Sequence, residues 1–185
     1  DGDYQVGSRA RDVAGNLETP AFVAVRVDNT PPRSSVSPTG TLGEAGWWRS
    51  GVQLALSASD AGIGLETTEY RIDDDEWQSY QGPLDVLAEG VHTLEYRSID
   101  GLGNQEPIQA LSMQIDSVPP STLASPTGTP GRAGWWVSST VQVTLLPSDA
   151  TSGVAATEYR LDGGAWQSDE RSFSVVGEGE HVAEY

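Results

Sequence analysis

The chain has 185 residues, of which 27 are acidic and 10 are basic, and its formal net charge is −17. This charge argues against nucleic acid and acidic membrane surfaces as partners, because a basic surface supplies most of the affinity for both. Cysteine and lysine are absent, which excludes a disulfide framework and lysine-dependent covalent chemistry, and no apolar run is long enough for a membrane-spanning helix.

The chain repeats itself with a period of about 88 residues. Gly46-Trp47-Trp48 returns 88 residues later as Gly134-Trp135-Trp136, whereas the Thr-Glu-Tyr-Arg sequence at 68–71 returns 89 residues later, at 157–160. The shift of one residue falls within 60–64, which predicts a loop there because insertions concentrate in loops. A period of this length matches one small domain and is too long for a solenoid unit.

The phase of the repeat predicts three segments. Residues 1–29 would be the last strands of a truncated preceding repeat, residues 30–117 a complete repeat, and residues 118–185 a repeat that lacks its last strands. Paired prolines at 31–32 and 119–120 mark the joints, since proline cannot donate to a sheet ladder and stiffens a short connector.

In chain order, short runs that alternate apolar and polar residues predict β-strands. These runs lie at 23–27, 52–58, 70–72, 94–96, 111–115, 141–145 and 157–161. Asp and Gly at 12–16, 100–104 and 161–166 predict hairpin turns, because both residues tolerate positive φ. About seven short strands per repeat predict an all-β fold of tandem immunoglobulin-like (fibronectin III-like) β-sandwiches.

Several motifs carry a resemblance to a known family. They are Gly-Trp-Trp, Thr-Glu-Tyr-Arg-Leu-Asp-Gly-Gly-Ala-Trp at 157–166, Glu-Gly-x-His at 89–92 and Asp-x-x-Gly-Asn at 100–104. The whole chain resembles the bacterial immunoglobulin-like tandem repeats of surface adhesins, envelope proteins and modular secreted hydrolases. This resemblance implies an extracellular or cell-surface location and a spacer or adhesive role.

Acidic residues from three separate segments are expected to meet at one end of the complete sandwich. They come from the incoming joint, the loop after the second strand and the last hairpin, and they are Asp28, Asp60, Asp100 and Asn104. Calcium takes six to eight oxygen ligands, so these residues predict an interdomain calcium site. Asp116 and Asp149 would form a second, incomplete site. The alternative is that the aspartates and asparagines only cap turns.

The six tryptophans stand at matching positions of the copies: Trp47, Trp48, Trp77, Trp135, Trp136 and Trp166. Exposed aromatic rings can stack on sugars, so Trp47, Trp48, Trp135 and Trp136 are candidate carbohydrate-binding residues. The alternative, favoured by the repetition, is that one tryptophan of each pair enters the core and the other covers the end of the sandwich or the next module.

No catalytic constellation is visible in the sequence. His92 and His181 lack the partners of a catalytic triad or of a metal–histidine site, and they are expected to be strand residues. The acidic run at 73–76 reads as a solvated turn, because its second copy has Asp-Gly-Gly-Ala at 162–165. We therefore expect no enzyme activity, and calcium is the one cofactor that the residues suggest.

Three functions are compatible with these patterns. The first is a non-catalytic extracellular spacer or stalk whose partners are neighbouring repeats. The alternative is a carbohydrate-binding accessory module of a secreted hydrolase, with a glycan as partner. The third is a filament: the residues missing after Tyr185 would correspond to residues 9–29, so one chain could donate strands to the next.

Overall fold

The protein is all-β. A computed structural model describes residues 1–168 and 172–185, and this part of the chain contains strands, turns and loops but no helix. It therefore contains no helix that could cross a membrane. The described chain divides into two compact units, unit 1 at Asp1–Ile115 and unit 2 at Asp116–Tyr185.

Short strands follow one another along both units. Those of unit 1 are β1 (Gly2–Ser8), β2 (Ala21–Val27), β3 (Arg33–Thr39), β4 (Trp47–Trp48), β5 (Val52–Ser59), β6 (Leu65–Ile72), β7 (Gln78–Ser79), β8 (Leu84–Val86), β9 (Gly90–Asp100) and β10 (Gln109–Ile115). Those of unit 2 are β11 (Ser121–Thr127), β12 (Thr140–Ser148), β13 (Glu158–Leu161), β14 (Gln167–Ser168), β15 (Ser172–Val176) and β16 (Ala183–Glu184).

Two sheets of unit 1 enclose its core. One sheet has the order β3-β5-β8 and the other the order β4-β10-β9-β6-β7, in which only β4 and β10 run parallel. Strand β5 buries alternate residues, so Val52 and Leu54 pack with Leu94 and Ile115 of the facing sheet. These four side chains are fully buried, and each contributes roughly 1.5–3 kcal/mol to the sandwich.

Strands β1 and β2 form a separate hairpin at the start of unit 1. They pair antiparallel over seven residue pairs, from Gly2↔Val27 to Ser8↔Ala21, and every residue of both strands is exposed. An isolated two-stranded hairpin has marginal stability in water. The connection after β2 is therefore important, because it joins this hairpin to the sandwich.

Unit 2 also contains two sheets, with the orders β11-β12-β15 and β14-β13-β16. Its core is small and consists of Val143, Leu145 and Phe173, with Tyr159 stacked on the Phe173 ring at a centroid distance of 3.9 Å. Within the described part of unit 2, no strand pairs with Trp135, and its neighbour Trp136 forms only an isolated β-bridge with Pro130. Strand β16 lies at the edge of its sheet.

The sequence-based fold class is confirmed, because every described element is a strand, a turn or a loop. The predicted loop at 60–64 separates β5 from β6, and the turns at 12–16 and 100–104 lie between β1 and β2 and between β9 and β10. The division between the units falls after Ile115, two residues before the predicted segment boundary after Ser117, and residues 1–29 group with 30–115. That these segments are successive copies of an immunoglobulin-like repeat remains a prediction.

Candidate functional site

Three carboxylates of unit 1 converge at one end of its sandwich. Asp28 follows β2, Asp60 follows β5, and Asp100 is the last residue of β9. One oxygen of each lies within 4.8 Å of the others. Asp28 and Asp60 are half-buried, and Asp100 is fully buried. The structure therefore brings together the three aspartates that the sequence predicted to meet.

Asp60 organises its own loop and keeps one oxygen without a hydrogen bond. Its Oδ2 accepts hydrogen bonds from the backbone N–H groups of Gly62, at 2.8 Å, and Gly64, at 2.9 Å. Its Oδ1 is buried and has no hydrogen-bond partner. A buried carboxylate oxygen without a partner is costly in free energy, so a missing partner such as a cation would be stabilising there.

Gly62 lets this loop approach Asp28 closely. A Cβ atom at position 62 would lie 1.9 Å from Asp28 Oδ2, so no larger residue fits without moving the carboxylate. Asp28 Oδ2 also accepts a hydrogen bond from the backbone N–H of Ile63 at 2.6 Å. The end of the β1–β2 hairpin is thus tied directly to the loop after β5.

Asp100 caps the turn between β9 and β10. Its Oδ1 accepts hydrogen bonds from the backbone N–H groups of Leu102 and Asn104, and its Oδ2 accepts one from Asn104 Nδ2 at 2.7 Å. Burial raises the pKa of Asp100, but these hydrogen bonds more than offset that effect, and its pKa lies below the ordinary value. Asp100 is therefore ionised at neutral pH.

Asn104 acts as a hydrogen-bond donor at this end of the sandwich. Its amide nitrogen donates to Asp100 Oδ2 and, at 3.4 Å, to the backbone oxygen of Asp28. Both neighbours are acceptors, so the nitrogen, rather than the oxygen, faces them. In this arrangement Asn104 orients two of the converging segments; whether it also binds a cation remains a prediction.

The earlier turn at 12–16 has the same geometry. Asn16 donates from its backbone N–H to Asp12 Oδ1 at 2.8 Å and from Nδ2 to Asp12 Oδ2 at 2.7 Å. These hydrogen bonds hold the pKa of Asp12 below its ordinary value. The structural interpretation of these residues as turn caps is therefore supported at both positions, and Asp12 is exposed whereas Asp100 is buried.

Unit 2 reproduces part of the site. Asp116 accepts hydrogen bonds from the backbone N–H of Ser152 at 3.0 Å and of Val118 at 3.2 Å, and Asp149 accepts from Thr151 and Gly153. The hydrogen bonds from Ser152 lower the pKa of Asp116. Among the described residues of unit 2, no group of three carboxylates converges as in unit 1, so the role of Asp116 and Asp149 as metal ligands remains a prediction.

The candidate sugar-binding tryptophans differ between the units. Trp47 and Trp48 are half-buried in β4, the neighbour of β10 in the sheet, and Trp48 packs against the core of unit 1. Their counterparts are more accessible: Trp135 is 60% exposed and Trp136 is 38% exposed. The pair in unit 2 lines an open groove of about 1530 Å³, together with core-facing residues such as Val143.

The third tryptophan of each copy stacks on arginine. Two guanidinium groups lie over the Trp77 ring: the Cζ of Arg71 is 5.1 Å from the ring centroid and that of Arg97 is 4.3 Å from it. Trp166 in unit 2 lies 4.9 Å from Arg160. Such stacking stabilises the sheet by cation–π attraction. These two tryptophans therefore have structural roles.

A histidine–aspartate contact was missed by sequence reasoning. His92 Nδ1 lies 2.9 Å from Asp73 Oδ2, and His92 Nε2 lies 3.1 Å from the backbone oxygen of Ala88. The hydrogen bond to Asp73 raises the pKa of His92 and lowers that of Asp73. His181 and Asp162 make the same contact at 2.8 Å. The signal in the sequence was the equal spacing of 19 residues in the two copies.

Comparison with known proteins does not assign the chain to a family. No protein-family model matches it, and no curated protein matches it. A functional assignment therefore depends on the geometry of the molecule.

Proposed function

We propose that the chain is a non-catalytic extracellular spacer made of immunoglobulin-like repeats of a bacterial surface or adhesin-type protein, and that calcium stiffens its joint. The observation that carries the proposal is the convergence of Asp28, Asp60 and Asp100 within 4.8 Å. Each residue comes from a different segment, so a cation held there joins all three.

The donor set is suited to calcium. Calcium prefers carboxylate and carbonyl oxygens and tolerates irregular geometry with six to eight ligands. Each of the three carboxylates can bring at least one oxygen to the cation, and the buried Asp60 Oδ1 has no other partner. Soft or nitrogen ligands are not part of this group, which disfavours zinc and copper.

The position of Asp28 explains how a cation would stiffen the molecule. Asp28 lies directly after β2, at the end of the exposed β1–β2 hairpin, whereas Asp60 follows β5 and Asp100 ends β9 of the sandwich. A cation shared by these residues would limit the motion of the hairpin relative to the sandwich. A spacer needs this resistance to bending, because a flexible joint shortens its average reach.

Calorimetric titration of the metal-free chain with calcium tests the proposal. We expect heat of binding at one site per chain and a higher melting temperature with calcium than with chelator. Asp149→Asn serves as the matched control, because it changes the equivalent aspartate of unit 2 and should leave that binding unchanged. No heat of binding and an unchanged melting temperature would exclude the calcium site.

A distance measurement separates stiffening from mere binding. The chain has no cysteine, so Gln5→Cys and Ser79→Cys place two unique spin labels on exposed residues of the hairpin and the sandwich. Calcium should narrow the distribution of distances between the labels. Binding without narrowing would mean that calcium does not stiffen this joint.

The exposure of Trp135 favours a second candidate function, a carbohydrate-binding accessory module of a secreted hydrolase. An accessible indole can stack on a sugar ring, and Trp135 is 60% exposed beside a groove. A glycan array with the chain and with Trp135→Ala tests this function. We expect specific binding that the substitution abolishes; Trp47→Ala, at the half-buried counterpart, is the control.

A further inference from the structure

Unit 2 contains a loop with the same backbone hydrogen bonds as the loop after β5 in unit 1. The loop in unit 1 has the sequence Asp-Ala-Gly-Ile-Gly at 60–64, and the loop after β12 has Asp-Ala-Thr-Ser-Gly at 149–153. In each loop the first aspartate accepts hydrogen bonds from the backbone N–H groups two and four residues later. The two loops therefore share one hydrogen-bonding pattern and differ in two side chains.

The aspartate that contacts each loop is also held in the same way. Asp28 accepts a hydrogen bond from the backbone N–H two residues later at 3.2 Å and from that of Ile63 at 2.6 Å. Asp116 accepts one from the backbone N–H two residues later at 3.2 Å and from that of Ser152 at 3.0 Å. Asp28 and Asp116 are thus equivalent residues, and the loop side chains beside them can be compared directly.

Space, and not backbone conformation, requires glycine at position 62. Gly62 does not have the positive φ that favours glycine, so its backbone conformation is open to other residues. A Cβ atom there would, however, overlap the whole carboxylate group of Asp28. The counterpart Thr151 has a Cβ, and its loop keeps the same hydrogen bonds. A side chain at this position therefore leaves the loop intact but excludes a carboxylate from the place that Asp28 occupies.

The second difference between the loops is a competing hydrogen-bond donor. Ile63 has no polar side-chain group, whereas the side chain of Ser152 hydrogen-bonds Asp116 and lowers its pKa. This hydrogen bond occupies a lone pair that a metal ion would use. In unit 1, by contrast, the buried Oδ1 of the neighbouring Asp60 has no hydrogen-bond partner. The Gly-Ile loop thus brings carboxylates together with an oxygen left unsatisfied, and the Thr-Ser loop supplies its aspartate with a further donor.

We propose that Gly62 and Ile63 select the joint at Asp28 for calcium. The Thr-Ser sequence at 151–152 makes the joint at Asp116 a much weaker calcium site. Gly62 is a positioning residue, because it acts by admitting the Asp28 carboxylate to the group of three aspartates. This inference rests on the proposed calcium site and adds the residues that determine which joint responds. Joints with equivalent aspartates then differ in how far calcium stiffens them.

Transfer of the unit 2 sequence into unit 1 tests the proposal. The double variant Gly62→Thr, Ile63→Ser gives unit 1 a loop sequence whose hydrogen bonds already exist in unit 2, so we expect it to fold. Gly62→Ala is the smallest change that adds a Cβ atom. Gly82→Thr is the matched control, because Gly82 also lacks a positive φ and a Cβ there meets no atom within 4 Å.

Calorimetric titration with calcium is the first measurement. Both loop variants should bind calcium about 10–100-fold more weakly than the unmodified chain, which is the usual loss when a residue that orients a metal ligand is replaced. The control should bind calcium as the unmodified chain does. The difference in melting temperature between calcium and chelator should shrink in both loop variants. A purely structural role of Gly62 would instead lower the melting temperature equally in both solutions.

A double-mutant cycle shows whether Gly62 acts through the carboxylate of Asp28. Asp28→Asn removes the charge of that ligand, so Gly62→Ala added to Asp28→Asn should weaken calcium binding no further. Effects of the two substitutions that simply add would mean that Gly62 acts elsewhere, and this result would overturn the proposal.

Failure of this inference can be distinguished from failure of the calcium site. Loop variants that bind calcium as tightly as the unmodified chain would overturn the inference and leave the site in place. Absence of calcium binding by the unmodified chain would overturn both.

Discussion

Replacement of Asp60 by Asn should have opposite effects without and with calcium. Asn keeps one side-chain oxygen, which can still accept the hydrogen bonds that Gly62 and Gly64 donate to Asp60 Oδ2. Its amide group would stand where Oδ1 lies buried without a partner, and it can donate to a neighbouring carboxylate. The substitution therefore removes repulsion, but it also removes a charged ligand.

The magnitude follows from the separation of the charges. Two unit charges 4.8 Å apart repel each other by about 3 kcal/mol at an effective dielectric constant of about 20. Asp28 and Asp60 are half-buried, so solvent screening reduces the net effect to about 1 kcal/mol. A change of this size raises the melting temperature of a domain near 100 residues by about 4–8 °C.

Differential scanning calorimetry in chelator and in excess calcium measures both effects. In chelator, Asp60→Asn should melt several degrees above the unmodified chain; calcium should then raise the melting temperature of the unmodified chain much more than that of the variant. The control Asp149→Asn should not change the response to calcium. A variant that melts lower in chelator, or that responds to calcium as the unmodified chain does, would refute the reasoning.

Three further predictions concern the sandwich itself. The contact between His92 and Asp73 should stabilise the fold below pH 6.5, and this contribution should be lost as the pH rises through the raised pKa of His92. The contribution should also be lost in acid, as the pH falls through the lowered pKa of Asp73. Melting temperatures measured against pH, for the unmodified chain and for His92→Gln, test both limits. Trp77→Ala should lower the free energy of unfolding, measured with urea, by about 1–2 kcal/mol, because two arginines stack on this ring. Ile115→Ala should lower the free energy of unfolding by about 2–5 kcal/mol, because Ile115 is fully buried. Val27 stands 88 residues earlier in the sequence and is exposed, so Val27→Ala should change the free energy of unfolding by less than about 0.5 kcal/mol.

The strands and turns could be predicted because their signals are local. The alternation in 52–58 is a property of neighbouring residues, and β5 has the corresponding alternation of burial. The turn at 161–166 was predicted from Asp and Gly, and Asp162 and Gly163 have φ values of 52° and 71°. Asp73 has φ of 54° at the matching place, although its neighbours there are acidic.

The convergence of the aspartates could be predicted because topology alone determines it. The ends of β2, β5 and β9 must meet if the segments form a sandwich joined to an incoming hairpin. The direction of each hydrogen bond could not be predicted in this way. Asn104 presents its nitrogen because both neighbours are acceptors, and that fact requires their positions in space.

The stacking of Trp77 and the exposure of Trp135 could not be predicted from the sequence either. Trp77 depends on two arginines that lie on different strands, β6 and β9. Trp135 and Trp47 occupy equivalent positions and have similar neighbours in the chain, yet among the residues that the structure describes only Trp47 lies beside a paired strand. Burial here depends on which strands are present, which local sequence does not show.

The two interpretations of the acidic turns are compatible, and comparison of Asp12 with Asp100 shows why. Each of the two residues caps its own turn, and each accepts the same two hydrogen bonds from the asparagine four residues later. Asp12 does so while exposed, so the turn does not require burial of its aspartate. Asp100 is fully buried beside two further carboxylates, which adds desolvation and repulsion that the turn does not need. The attraction of a bound cation would offset both costs, so the burial of Asp100 favours a metal site in addition to the cap.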